Sequence, residues 1–256
     1  MLHCANCVDF MQDMEAESVD MTLTSPPYDD LRTYNGYTFD FEAIAKGLFR
    51  ITKQGGVVVW VVGDKVKNGN ESGNSFRQAL FFQEIGFSLF DTMIYAKKPR
   101  GAIGSSNQSY LQCFEYMFVL SKGIPKTRNL IYDRPNKRSG SMETKQYRDC
   151  DGKIHKGASF QRQKVGRRTN IWEYVTGNGN TTSDKIAFQH PAIFPEKLAQ
   201  DHILSWSNPN DLVFDPMCGS GTTGKMALLN NRRFIGVDIS QEYIDIATER
   251  LGLLVA

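Results

Sequence analysis

An α/β fold, with a mostly parallel sheet and helices on both faces, follows from three observations. Strand-like and helix-like segments alternate through most of the 256 residues, a pattern that builds parallel sheets sandwiched by helices. The run GVVVWVVG (56–63) is continuously apolar and rich in β-branched residues, as in a strand covered on both faces. A glycine turn, CGSGTTG (218–224), joins a short strand to a helix near the end of the chain.

The elements follow in order. VDMTLT (19–24) reads as a strand and runs into TSPPYDD (24–30), a rigid double-proline corner. FDFEAIAKGLFRI (39–51) has helical apolar spacing and stops at KQGG. After the 56–63 strand, NSFRQALFFQEIG (74–86) opens on cap residues and closes on glycine, as a helix does. SLFDTMIYAK (88–97) and YLQCFEYMFVLSK (110–122) are strand-like, with a Gly/Ser/Asn-rich loop at 100–109 between them. Residues 125–189 are polar, basic and irregular. Pattern returns with a helix at 194–206, a strand DLVFDP (211–216), a helix at 222–230, a strand RRFIGVDIS (232–240) and a helix at 241–251. The expected organisation is two halves of one sheet domain, 1–124 and 190–256, with 125–189 inserted between them.

Composition is that of a soluble globular protein, 41% hydrophobic and 23% charged. No apolar run is long enough to span a bilayer. The opening MLHCANCVDF has neither the basic region nor the apolar stretch of a signal peptide, so a cytoplasmic location is expected. Five scattered cysteines form no disulfide framework, and the Cys4-x-x-Cys7 pair lacks the second pair that a zinc site needs. No metal is expected. Net charge is only +2, but residues 125–170 carry thirteen Lys or Arg against four Asp or Glu. That block is either a polyanion contact or a solvated loop.

Gly219, Gly221 and Gly224 fit G-x-G-x-x-G between a strand and a helix. Such glycines let a ligand approach a helix N-terminus. Asp238 ends the next strand, where an acid can accept ribose hydroxyls. A nucleoside cofactor is expected. A nicotinamide dinucleotide, and hence an oxidoreductase, fits poorly. Its glycine loop would normally begin the fold, and Asp215, directly ahead of the loop, would repel a pyrophosphate. S-adenosyl-L-methionine carries both a ribose and an ammonium group that Asp215 would attract.

Ser25-Pro26-Pro27-Tyr28, 214–224 and HPAIFPEKL (190–198) together resemble the DNA amino-methyltransferases, which methylate an exocyclic amine of cytosine or adenine. The order of catalytic motif, basic variable region and cofactor motif resembles the permuted β group of that family. The resemblance covers nearly the whole chain outside about 125–170. It implies a Rossmann-like methyltransferase fold, S-adenosyl-L-methionine as cofactor and double-stranded DNA as partner. It also implies a cognate restriction endonuclease as a candidate partner, and a monomer or homodimer.

Carried over residue by residue, the resemblance gives Ser25, Pro26, Pro27 and Tyr28 catalytic roles. Ser25 Oγ and the Pro26 carbonyl would each accept an amine hydrogen and aim the nitrogen lone pair, and Tyr28 would stack on the base. The base must be flipped out of the duplex to react. Donor-binding positions would be Asn6, Cys7, Thr24, Phe194, Pro195, Phe214, Asp215, Pro216, Cys218, Gly219, Ser220, Gly221, Thr222, Thr223 and Asp238. The family's Gly-Asp near the N-terminus is here Ala5-Asn6, and its frequent lysine before the proline is here Phe194. Glu115 stands where the family often has an acid. DNA contacts would come from Lys126, Arg128, Arg134, Lys137, Arg138, Lys145, Arg148, Arg162, Lys164, Arg167 and Arg168, in the target-recognition position. Serine at the head of the motif leans toward N4 of cytosine within this family, with N6 of adenine as the alternative. The rivals are the oxidoreductase, a DNA-binding module without catalysis, and a methyltransferase acting on RNA or protein amines.

Overall fold

The computed structural model describes residues 1–27, 39–98, 110–177 and 179–252. Tyr28 and the 100–109 loop lie outside the described residues. The elements are β1 (Leu2–Cys4), α1 (Cys7–Asp13), β2 (Val19–Thr24), α2 (Phe41–Ile51), β3 (Thr52–Val62), β4 (Val66–Lys67), β5 (Asn70–Glu71), α3 (Asn74–Glu84), β6 (Ser88–Lys98) and β7 (Phe114–Ser121). They continue with β8 (Arg134–Pro135), β9 (Met142–Arg148), β10 (Ile154–Gln161), β11 (Val165–Gly166), β12 (Ile171–Val175), α4 (Glu196–Trp206), β13 (Leu212–Asp215), α5 (Thr222–Leu229), β14 (Arg233–Asp238) and α6 (Gln241–Gly252).

Among the described residues, eight strands form one sheet in the order β1-β14-β13-β2-β3-β7-β6-β12. All neighbours pair in parallel except at β7, which runs antiparallel to β3 and β6. The parallel strands therefore share one carboxyl edge. On β3, Val57 to Val62 are all buried, so both faces are covered. Val58, Trp60 and Val62 pack with Leu48 of α2 and Phe82 of α3 in one core. Each such side chain contributes about 1.5–3 kcal/mol through burial. The Trp60 indole N–H, which would be costly to bury unpaired, donates to Gln78 Oε1 at 2.8 Å.

Helix α2 shows how local signals set the frame. The Asp40 side chain caps it by accepting from the Ala43 N–H at 3.0 Å. Ile44, Ala45, Leu48 and Ile51 form its buried stripe. At its end, Lys122 Nζ donates to the Phe49 and Thr52 carbonyls at 3.0 and 3.1 Å.

The chain divides into a larger unit, residues 1–129 with 170–256, and a smaller one, 130–169. The expected insertion, 125–189, is wider than this smaller unit. Residues 171–175 are a strand of the main sheet, paired in parallel with β6, and Asn129 hydrogen-bonds the end of α4 through the Ser205 carbonyl. The smaller unit also has more regular structure than its sequence predicts. β9 and β10 form an antiparallel ribbon, and β8 pairs with β11. Every side chain from 130 to 169 is exposed or partly exposed, so no apolar alternation marked these strands.

Candidate functional site

The carboxyl edge of the sheet opens into a cleft in the larger unit. Ser25, Pro26 and Pro27 leave β2 there, and Asp215 to Ser220 leave β13. β2 and β13 are hydrogen-bonded neighbours in the sheet, and adjacent strands lie about 4.8 Å apart. Topology thus brings together two motifs separated by some 190 residues of chain.

The glycine turn is held by backbone bonds. The Gly221 N–H donates to the Cys218 carbonyl at 2.8 Å, and the Cys218 N–H to the Val237 carbonyl at 2.9 Å. Gly219 and Gly221 have φ of 47° and 77°, in the left-handed region that glycine alone enters without cost. A Cβ on Gly219 would also lie 2.8 Å from His190 Nε2. The third glycine serves packing: a Cβ on Gly224 would lie 2.4 Å from the Phe234 ring.

Two acids lie at the cleft floor. Asp215 is 2% exposed. Burial pushes its carboxyl up to about 6, with partial relief from the neighbouring Thr223 and Thr24 hydroxyls and the Met217 N–H. No basic side chain offsets it among the described residues. Burial also raises Asp238, against backbone N–H donors from Ser240 and Gly219. These donate at 3.0 and 2.9 Å, one to each carboxylate oxygen. Each oxygen keeps a second lone pair. A buried acid that meets no cation among the described residues, beside a second acid, suits a ligand that brings positive charge. The ammonium and ribose of S-adenosyl-L-methionine fit this donor set.

The other expected positions sort by location. Asn6, Cys7, Phe194, Pro216, Cys218, Gly219, Ser220 and Thr222 line the cleft. Asn6 Oδ1 already accepts the Val8 N–H at 2.8 Å as the cap of α1. One lone pair of Oδ1 and the two amide protons remain for a ligand. Burial pushes the Cys7 thiol up to about 11 and raises the Cys218 thiol as well, so both stay protonated. Phe214 belongs to the core. Thr24 and Thr223 are buried behind Asp215, and Pro195 is the cap residue of α4. Glu115 lines the cleft and pairs with Lys97 at 2.5 Å.

The basic positions do not form one set. Lys126 and Arg128 belong to the larger unit, and Lys126 packs on Gly55 at the start of β3, the sheet edge opposite the cleft. In the smaller unit Arg162 forms a two-point pair with Glu143, and Arg168 another with Asp133. Arg134 Nε donates to the Arg167 carbonyl at 3.1 Å. Lys137, Arg138, Lys145, Lys164 and Arg167 are exposed. Sequence reasoning missed His190 and Tyr243, whose rings meet at 4.3 Å over the glycine turn, although the first lies in a segment already quoted. It missed Arg250 entirely.

Residues 19–249 match the family model described as DNA methylase of the N6/N4 type. The chain belongs to that family. This amino-methyltransferase is 60% identical over 237 residues to the orphan methyltransferase M.BamHII of Bacillus amyloliquefaciens, covering 91% of this chain and 89% of that one. It is 26% identical to the type II methyltransferase M.BglII of Bacillus subtilis, covering 98% and 68%. Among solved structures it is similar to the PvuII DNA methyltransferase, described as cytosine-N4-specific, with a TM-score of 0.70 and 19% identity over 97% of this chain and 85% of that one. It is also similar to a DNA modification methylase of Thermus thermophilus complexed with S-adenosyl-L-methionine, with a TM-score of 0.65 and 20% identity over 98% and 93%. The enzyme is a DNA methyltransferase, its fold is that of the S-adenosylmethionine-dependent enzymes, and S-adenosyl-L-methionine is its cofactor. Among the described residues no helix is long and apolar enough to cross a membrane.

Proposed function

We propose that this methyltransferase modifies N4 of a cytosine flipped out of duplex DNA. The observation that carries the reading is the shared cleft: the Ser-Pro-Pro corner and the glycine turn leave neighbouring parallel strands at the same edge. Bound there, S-adenosyl-L-methionine supplies a methyl group on a positively charged sulfur. Asp215 holds the donor's ammonium and Asp238 its ribose.

An aromatic amine is a poor nucleophile because its lone pair is delocalised into the ring. Ser25 Oγ accepts one amine hydrogen and the Pro26 carbonyl the other, which draws the lone pair out of conjugation. The two prolines fix both acceptors in advance. Tyr28, by its place in the motif, supplies the stacking face. Serine at position 25 supports cytosine; N6 of adenine uses the same acceptors and is the other outcome.

Residues 130–169 are proposed as the target-recognition unit, with eleven Lys or Arg against four acids. Its β9–β10 ribbon is of a kind that a major groove admits. Lys137, Arg138, Lys145, Arg148, Lys164 and Arg167 are assigned to phosphates. Arg162 and Arg168 are assigned to holding the unit together, and Lys126 and Arg128 are left out. A restriction endonuclease partner is also left out, because the relative at 60% identity is named an orphan methyltransferase.

Ser25→Ala tests the catalytic assignment. It is expected to lower kcat for methyl transfer to DNA about 10²-fold while donor Kd stays unchanged. An unchanged kcat contradicts the role of Ser25.

A further inference from the structure

The side chain of Arg250 on α6 is 0% exposed. A buried guanidinium needs partners for all its N–H groups, and this one has them. Nη1 donates to the Ser220 carbonyl at 3.0 Å and to Thr222 Oγ1 at 2.9 Å. Nη2 donates to Glu196 Oε1 at 2.6 Å and to Thr182 Oγ1 at 3.3 Å. Nε donates to Asp184 Oδ2 at 2.8 Å. Lys225 Nζ reaches the same two acids, each at 2.8 Å, so two cations balance two carboxylates. Burial alone would raise Asp184 and Glu196, but hydrogen bonds from Lys225 and Arg250 outweigh it and hold both below the usual carboxylate range.

The partners of Arg250 belong to the segments that build the donor side of the cleft. Ser220 is in the glycine turn and Thr222 begins α5. Glu196 begins α4, directly after Phe194 and Pro195. The peptide plane between Ser220 and Gly221 is fixed at both ends. Arg250 takes its carbonyl, and the Cys218 carbonyl takes its N–H at 2.8 Å. Gly221, at φ 77°, carries no Cβ to restrain that plane, so its orientation is held by these two bonds.

We propose that Arg250 is a positioning residue for the methyl donor. It sets the glycine turn and locks it to the Phe194–Pro195 segment without touching the donor. The proposal rests on the assignment of this part of the cleft to the donor.

The test compares donor binding and kinetics in Arg250→Lys. Lysine keeps the charge but lacks the planar fork that serves the turn and both acids together. Donor Kd and KM are expected to rise at least about tenfold, with kcat at saturating donor within about twofold of the parent. A donor Kd equal to the parent's, with only a lower Tm, makes Arg250 part of the scaffold and overturns the proposal. Should Arg250→Lys fail to fold, the charge-balanced pair Arg250→Met with Asp184→Asn is read against the same two results. Asp215→Ala separates the two layers. If it weakens donor binding while Arg250→Lys does not, the Arg250 role fails alone. If Asp215→Ala leaves binding unchanged, the donor assignment fails and takes the proposal with it.

Discussion

The backbone N–H of Gly219 donates to a carboxylate oxygen of Asp238 at 2.9 Å, so the acid at the end of one strand supports the glycine turn at the end of the next. On the proposed donor assignment, Asp238 has two tasks, one toward the turn and one toward the donor's ribose. Asp238→Asn keeps an acceptor for one of the two backbone donors but not for both. Donor Kd, measured by calorimetry, is expected to weaken about 10- to 100-fold, with a lowered Tm. An unchanged Kd removes Asp238 from the donor site.

On the same assignment, the buried Asp215 is expected to make donor affinity depend on pH. Its carboxyl stands at about 6 in the folded enzyme, above its ordinary value of 3.8. The sign follows from that direction. Ionisation is disfavoured by folding, so the free enzyme loses stability as pH rises from about 4 to about 6 and then levels off. A cationic ligand favours the ionised form. Donor affinity should thus hold above pH 6 and fall about tenfold per unit below it. Calorimetry between pH 5 and 7 keeps the donor's amino group protonated, since such groups titrate at ~7.8. Asp215→Asn should be weak and flat across that range.

Gly224→Ala places a methyl group 2.4 Å from the Phe234 ring, where α5 crosses β14. Both elements are backed by the core, so the ring has little room to retreat. A loss of about 1–3 kcal/mol is expected by denaturant titration. Conversely, no loss would mean that this glycine is not required for packing.

In the smaller unit, free and committed cations should behave differently. Lys145→Ala or Lys164→Ala should each reduce the slope of log K against log salt for DNA by about 0.9. Arg162→Ala instead breaks the pair with Glu143. It should lower the stability of the ribbon more than it changes the salt slope. Equal slopes for the parent and all three variants would remove the phosphate role.

Most of the sheet was legible because its strands are buried on both faces, as β3 shows, and its helices carry caps and stripes, as α2 shows. β1 and α1 were not read, because the first strand is three residues long and the helix is capped by Asn6 in a stretch with little periodicity. The ribbon was missed for the opposite reason: with both faces exposed, nothing in β9 or β10 alternates. In the site, glycines and prolines showed themselves because they change backbone freedom. Arg250 looked like any basic residue in the last turn of a helix. Only the fold shows that it points inward, across to residues 28 to 68 positions away.

The most direct test is to incubate the enzyme with donor labelled in the transferable methyl group and unmethylated genomic DNA, then digest the DNA and identify the labelled nucleoside. Labelled N4-methylcytosine is the expected result. Labelled N6-methyladenine would contradict the assignment of cytosine, and DNA without label would contradict the proposed reaction itself.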